Sequence, residues 1–280
     1  MFSLNPLTLA PAFRDAAASD ITLRVGFRPG ARTWRGTAVD LWWSFLQRKA
    51  PKNRRIFYWI GTDVQQTIAA IRDGTIRRSV YESVRREEHL ADSPWLAAEL
   101  ASVGIDARVI PIFAVGTNPS EPPPLPDRFT VLTYLPDRRH AFYGSSMIAA
   151  AASALPEIDF LVLGGVGAWM SDRPANIRFL GWQADTAQFY ERSSVLVRMV
   201  EHDGMSGMVA EALSFARHVI YSYALPHCHQ VKFGDAQKLI CTLAALKGAG
   251  LNEMGRRYAA AEFDQASTAR SLIEHLRNGR

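Results

Sequence analysis

The sequence predicts an α/β fold of two lobes, each a parallel sheet covered by helices, and three observations lead there. Short runs rich in β-branched and aromatic residues alternate with helical stretches along the chain, the pattern of helix and sheet layers around a parallel sheet. One segment interrupts that alternation: GTNPSEPPPLPD, at 116–127, holds five prolines, which remove backbone donors and favour extended, semi-rigid chain. The length of 280 residues, 48% of them hydrophobic, suffices for two modest cores. The expected division is a first lobe over 1–118, a linker over 119–127 and a second lobe over 128–280.

In the first lobe, ITLRVGF (21–27) and RIFYWI (55–60) read as buried strands. Each is followed by a polar turn and a helix, GTAVDLWWSFLQRK after the first and VQQTIAAIRDG after the second. Ser93 before Pro94 is an N-cap and first-turn pair, the helix through WLAAELAS should stop at Gly104, and ARVIPI (107–112) reads as a strand. In the second lobe the expected strands are FTVLTYL (129–135), IDFLVLG (158–164), IRFLG (177–181), SVLVRMV (194–200) and HVIYSY (218–223). Helices should fall near 143–155, 184–192 and 206–217, with a mostly helical tail from Asp235. A cleft between two such lobes, lined by loops at the carboxyl ends of the strands, is the expected binding place.

Composition narrows the function classes. Two cysteines, Cys228 and Cys241, give no disulfide framework, so a cytoplasmic setting is the expectation. No apolar run reaches the roughly 20 residues of a membrane span, and the first 20 residues lack the pattern of a secretion signal. The net charge of +5 sits wholly in residues 1–118, with 16 Lys/Arg against 11 Asp/Glu, much of it in QRKAPKNRR (47–55). Such asymmetry suits an anionic partner, and an equally ordinary reading is a solvated basic surface.

The stretch VLVRMVEHDGMSGMVAEALSF (195–215) carries the chemistry, since it puts Asp203 and Glu211 eight positions apart across a strand–loop–helix junction. Val209, Ala212, Leu213 and Ala216 form the helix face that packs on the sheet, so Glu211 points away from it. Gly204 and Gly207 let the backbone approach a ligand. Unpaired amides at Ser206, Gly207 and Met208, with the helix dipole, make a place for phosphate, and acids on either side suit sugar hydroxyls.

HDGMSGMVAEALSFARHVIYS resembles the donor-binding motif of glycosyltransferases of the GT-B fold, particularly family 4, which carry an acid, seven residues and a glutamate at this junction. The resemblance runs in order through LTYLPDRRHAFYG, LVLGGVG and NIRFLGWQADTAQFYERSSVLVR, and more thinly through FYWIGTDV and HLADSPWLAAELASVGI. It implies two Rossmann-like lobes with a short first one, and transfer of a sugar from a nucleoside diphosphate, with retention and without metal or other cofactor. Glu211 would hold the ribose, Asp203 the transferred sugar, and the backbone from Gly204 through Met205 to Met208 the diphosphate. Arg138 or Arg139 would face the leaving phosphate, with Arg198 as a second candidate. Gly165 and the backbone from Leu180 to Trp182 would lie beside the nucleoside. Two positions depart from the family: Asp203 replaces a glutamate, and Ile60 stands where a histidine is common.

Other candidates have competing structural readings. Asp63, in the Gly61–Thr62–Asp63 turn, either binds an acceptor hydroxyl or acts as a base, or is the N-cap of the VQQTIAAI helix. Arg28, in RPGARTWRG, is an acceptor-side contact or part of a generic turn. VDLWWSFLQRK (39–49) sets Trp42 and Trp43 beside basic residues, which suits either a core stripe or an anionic membrane surface carrying a lipid-linked acceptor. LGGVGAW lacks the third glycine of a dinucleotide fingerprint, and PHCHQ (226–230) is expected to be a loop rather than a metal site. No nucleic-acid module is recognisable. The expected partners are a nucleotide-sugar donor and a glycan or lipid-linked acceptor. The competing functions are a sugar-nucleotide epimerase or phosphorylase on the same fold, and a non-catalytic adaptor.

Overall fold

The computed structural model describes residues 21–26, 54–111 and 119–278. The chain forms two compact units, residues 1–111 with 272–280, and residues 112–271. The break thus falls just before the proline segment, and the end of the last helix belongs to the first unit. That return is a correction to the expected 128–280 lobe.

The first unit holds a parallel four-stranded sheet in the order β1 (Ile21–Val25), β2 (Arg54–Trp59), β3 (Glu88–Ala91), β4 (Arg108–Val109). Helices α1 (Thr62–Arg72) and α2 (Arg78–Arg85) connect β2 to β3, and α3 (Pro94–Ala101) connects β3 to β4. Strand alternation decides what each β2 side chain meets. Phe57 and Trp59 pack with Val64, Leu96 and Leu100 from α1 and α3 on one face. Ile56 and Tyr58 pack on the other, with Leu272 and Leu276 of the last helix. Both faces are covered, which is why RIFYWI reads as an unbroken apolar run. Glu88 and Arg54 pair, and Arg54 also donates to the Leu276 carbonyl at 2.6 Å, fastening that helix.

Three expectations change here. β1 is an edge strand with Leu23 38% and Val25 51% exposed, rather than a buried one. β4 is two residues long, and β3 together with α2 was not anticipated. Ser93 occupies the N-cap position of α3 but its hydroxyl makes no capping bond. The helix–membrane candidate 39–49 lies outside the described residues.

The second unit is a six-stranded parallel sheet in the order β10 (His229–Gln230), β9 (His218–Tyr221), β8 (Val195–Arg198), β5 (Thr130–Leu135), β6 (Asp159–Gly164), β7 (Ile177–Phe179). Helices α4 (Ser145–Ala154), α5 (Ala187–Glu191), α6 (Gly207–Ser214), α7 (Ala236–Leu246) and α8 (Glu253–Glu262) complete it, with the first residues of α9 (Gln265–Asn278), which passes into the first unit at Leu272. α4 and α7 cover one face, with Met147, Ile148, Leu239 and Leu243 against Val131, Val162 and Val197. Val209, Ala212 and Leu213 are fully buried, so the inner face of α6 is the one its periodicity predicts, and Ala216, also buried, lies beyond the helix end. α6 stops at Ser214, earlier than expected, because Ala216 adopts φ 55, outside helical space. PHCHQ supplies edge strand β10 rather than a plain loop.

Arg217 anchors the proline segment. It is fully buried, and its guanidinium donates to the carbonyls of Tyr190, Pro123, Pro124 and Glu191 at 2.8, 2.8, 3.1 and 3.4 Å. Burial lowers its pKa to about 10, which still leaves it cationic at neutral pH.

Candidate functional site

The strand order fixes where a ligand can sit in the second unit. From β5 the chain moves outward through β6 and β7, then returns to the other side of β5 with β8. The loops leaving β5 and β8 therefore diverge and open a crevice at their carboxyl ends, the switch point of an open α/β sheet. Those two loops are 136–144 and 199–206, and the second runs into α6. Only glycine fits where they meet. Gly144 has φ +72, and a Cβ there would lie 2.7 Å from the Met199 Cβ.

At this crevice the amino end of α6 is open. Ser206 is the N-cap but makes no side-chain cap, and the Val209 and Ala210 amides return to the Ser206 carbonyl. The amides of Ser206, Gly207 and Met208 have no hydrogen-bond acceptor among the described residues. Met205 and Ser206 are themselves buried, so the backbone rather than these side chains is what the loop presents.

Asp203 and Glu211 flank that end, Asp203 held by Arg198 and by tyrosines, and Glu211 by residues the sequence did not single out. Asp203 Oδ2 accepts from Arg198 Nε and Nη2 at 3.0 and 2.9 Å and from the Tyr221 hydroxyl at 3.4 Å. Tyr221 also donates to the Gly204 carbonyl at 3.0 Å, and the Asp203 amide donates to the Tyr223 hydroxyl at 3.1 Å. Glu211 Oε2 accepts from the Tyr190 hydroxyl at 2.6 Å and from Thr186 Oγ1 at 3.4 Å. Its Oε1 takes no bond among the described residues. So Glu211 does leave the core-facing stripe, but it is half-buried and oriented rather than loose.

Arg198 ties the two acids to one place. It sits at the carboxyl end of β8 and is only 9% exposed, with its guanidinium 4.9 Å from the ring centre of Tyr143 and 5.9 Å from that of Tyr134. Burial, the largest influence, pulls its pKa down, yet Asp203, then Tyr221 and Tyr143, hold it above its ordinary value. The Tyr190 phenol is pushed up by burial and by Glu211, and the nearby Arg198 charge opposes that shift. Arg198 therefore bonds Asp203 while lying within electrostatic reach of the tyrosine that holds Glu211.

The other sequence candidates divide. Arg138 and Arg139 lie in a 3-10 turn directly after β5, both exposed. Arg139 stacks on Phe142 at 4.1 Å, while Arg138 makes no hydrogen bond or ion pair among the described residues. Gly165 packs where a Cβ would lie 2.5 Å from the Leu135 carbonyl oxygen, and Asp137 accepts from the Val166 and Gly167 amides at 3.1 and 3.0 Å. The Val166 and Gly167 amides of the LGGVG loop are thus already occupied by a carboxylate. The Leu180 amide donates to Val162 and its carbonyl accepts from Gln183 at 2.6 Å, so that amide is spent within the sheet margin. Trp182 stands 75% exposed beside it.

Asp63 is a correction. It is 4% exposed and its carboxylate folds back from the first turn of α1 to accept from the Ile60 amide at 3.2 Å, so it neither projects as a base nor caps the helix, whose N-cap is Gly61. Burial raises its pKa, with backbone amides opposing. Gly61 has φ 137 and gives its carbonyl to the Val64 amide, and Thr62 begins α1. Arg28 lies outside the described residues. No three His, Cys, Asp or Glu residues gather into a metal-binding group among the described residues.

No family model and no curated protein matches this sequence. Solved structures do. HepE (Alr3699) of Anabaena, in complex with UDP-glucose, superposes with a TM-score of 0.70 at 14% identity, over 99% of this chain and 85% of that one. The chain has the GT-B fold. Sucrose-phosphate synthase (tll1590) of Thermosynechococcus elongatus gives 0.67 at 17% identity, over 97% of this chain and 76% of that one. The lipopolysaccharide outer core galactosyltransferase WaaB, in its apo form, gives 0.66 at 10% identity, over 96% and 78%.

Tyr190, Thr186, Tyr221, Tyr223 and Tyr143 are the site residues that sequence reasoning passed over. Tyr221 and Tyr223, in YSY, offered one signal: they alternate at the carboxyl end of a strand, where the crevice of a parallel sheet lies.

Proposed function

We propose that this chain is a glycosyltransferase, resembling family 4, that moves a sugar from a nucleoside diphosphate to an acceptor hydroxyl with retention. One observation carries the reading: the open amino end of α6 at the β5/β8 switch point, with Asp203 and Glu211 on either side of it. Departure of the diphosphate concentrates negative charge on its oxygens. The amides of Ser206, Gly207 and Met208 lie preoriented for that charge, and Arg138 and Arg198 Nη1 add cationic donors, so no metal is needed. Glu211 accepts from the ribose hydroxyls through Oε1, and Asp203, neutralised by Arg198, accepts from hydroxyls of the transferred sugar. Trp182 offers an exposed aromatic face beside the nucleoside. The UDP-glucose in HepE makes uridine diphosphate the first nucleotide to try.

The acceptor is a glycan or lipid-linked hydroxyl at an anionic surface. What supports this is a group of exposed arginines, Arg72, Arg78 and Arg85 on α1 and α2 with Arg77 and Arg86 at the two ends of α2. The described residues hold no helix long and apolar enough to cross a membrane.

Calorimetric titration with UDP, GDP, ADP and CDP tests the assignment. One diphosphate should bind, and Glu211→Ala should weaken it by about tenfold or more, the scale of losing hydrogen bonds to a charged acceptor. Equal affinity in the variant removes the ribose assignment. Incubating the matching nucleotide-sugar with and without acceptor then separates transfer from epimerisation.

A further inference from the structure

Glu211 sits on α6 by virtue of sequence, but nothing on α6 fixes where its carboxylate points. We infer that Tyr190 is the positioning residue that aims Glu211 at its ligand, an inference that rests on the reading of Glu211 given above. The Tyr190 hydroxyl donates to Oε2 at 2.6 Å, the length of a charge-assisted bond, and Thr186 adds a longer one at 3.4 Å to the same oxygen. With Oε2 held twice, the carboxylate turns Oε1 outward as its remaining acceptor.

The tyrosine is itself immobilised. Its ring is 1% exposed and packs against Phe215 with ring centres 5.4 Å apart. Its carbonyl accepts from Arg217 Nε at 2.8 Å, and the same guanidinium grips Pro123 and Pro124. A glutamate side chain in a helix ordinarily samples several rotamers, and ordering it costs binding free energy. Here that ordering is complete before a ligand arrives. Burial and the Glu211 charge keep the Tyr190 phenol protonated, so it remains a donor wherever the chain is folded.

A structural tyrosine and a positioning tyrosine differ in one measurable way: only the second changes how strongly the site reads ribose. The test compares UDP with 2′,3′-dideoxy-UDP by calorimetry in the full chain, using whichever base binds best in place of uracil. Wild type should prefer the ribose form, and Glu211→Ala should abolish the preference. Tyr190→Phe, which keeps the buried ring, should cut the preference about tenfold, as expected for losing one charged hydrogen bond that orients an acceptor. Affinity for the dideoxy form should stay within about twofold, since nothing else at the site has moved. Thr186→Val should act in the same direction with smaller effect, and Tyr190→Leu, which also removes the hydroxyl, serves if Tyr190→Phe does not fold. A full ribose preference in a folded Tyr190→Phe variant, or in Tyr190→Leu where that does not fold, with the preference lost in Glu211→Ala, overturns the Tyr190 role and leaves the ribose assignment standing. Absence of any ribose preference in wild type, or of any binding, overturns both.

Discussion

His89 should make the first unit weaken as pH falls from 6.5 towards 4. The imidazole lies at the centre of that unit, 5% exposed, stacked on Phe57 with ring centres 5.5 Å apart. Trp59 Nε1 donates to its Nδ1 at 3.1 Å, so Nε2 carries the proton and donates to the Val84 carbonyl at 3.0 Å. Both ring nitrogens are satisfied in the neutral tautomer. Protonation would turn Nδ1 into a second donor facing an indole N–H. Burial accordingly pulls the pKa from 6.5 down to about 4. Between those values the unfolded chain binds a proton that the folded chain does not, so stability is present above pH 6.5 and lost as pH falls. At about 1.4 kcal/mol per unit the loss sums to about 3 kcal/mol by pH 4, a large share of a domain's total. Urea unfolding at half-unit steps from pH 4 to 8, for wild type and His89→Gln, isolates this residue from the carboxylates that titrate nearby. The wild-type slope should exceed the variant's by about 1.4 kcal/mol per pH unit inside the window and match it above pH 7. Parallel slopes throughout, or an imidazole that titrates near 6.5 by NMR, would refute the argument.

Three further outcomes follow from the second unit. Gly144→Ala meets both a positive φ and the Met199 Cβ at 2.7 Å, so it should cost about 2–4 kcal/mol in chemical denaturation; a variant as stable as wild type means the two loops do not touch. Arg217→Met keeps the aliphatic stem but abandons four carbonyls, and should lower stability by roughly 2–4 kcal/mol; an unchanged unfolding midpoint would show that the proline segment is not clamped there. Arg138→Ala should weaken nucleoside diphosphate binding about fivefold to tenfold and Arg139→Ala by less, because Arg139 is committed to Phe142. The reverse ranking by calorimetry assigns the phosphate to Arg139 instead.

Much of the fold was legible because the strands are buried on both faces. RIFYWI, FTVLTYL, IDFLVLG and SVLVRMV read as continuous apolar runs, and each corresponds to a strand of the sheets. β3 escaped because EHLA is four residues long, and its histidine is satisfied in the core partly by a tryptophan 30 positions away in sequence. β1 was misjudged as buried, since nothing in ITLRVGF tells an edge from a centre. The return of the last helix to the first unit was equally invisible, because it depends on Arg54 meeting the Leu276 carbonyl.

The candidate site divides along the same line. Asp203, Glu211 and the open end of α6 are local: a strand, a glycine loop and an amphipathic helix specify them within 21 consecutive residues, because helix amides and side-chain periodicity depend only on near neighbours. What holds them is not local. The sequence left Asp63 balanced between base and N-cap, and the folded turn gives it neither role, because Gly61 is the N-cap and the Ile60 amide draws the carboxylate inward. The crevice itself exists because β8 returns beside β5, a pairing of residues more than sixty positions apart. Tyr190 reaches Glu211 across 21 positions, and Tyr221 reaches Asp203 across 18. The sequence by itself determined which groups can bear the chemistry; tertiary structure decided their orientation, because a hydrogen bond depends on where the chain brings its partner.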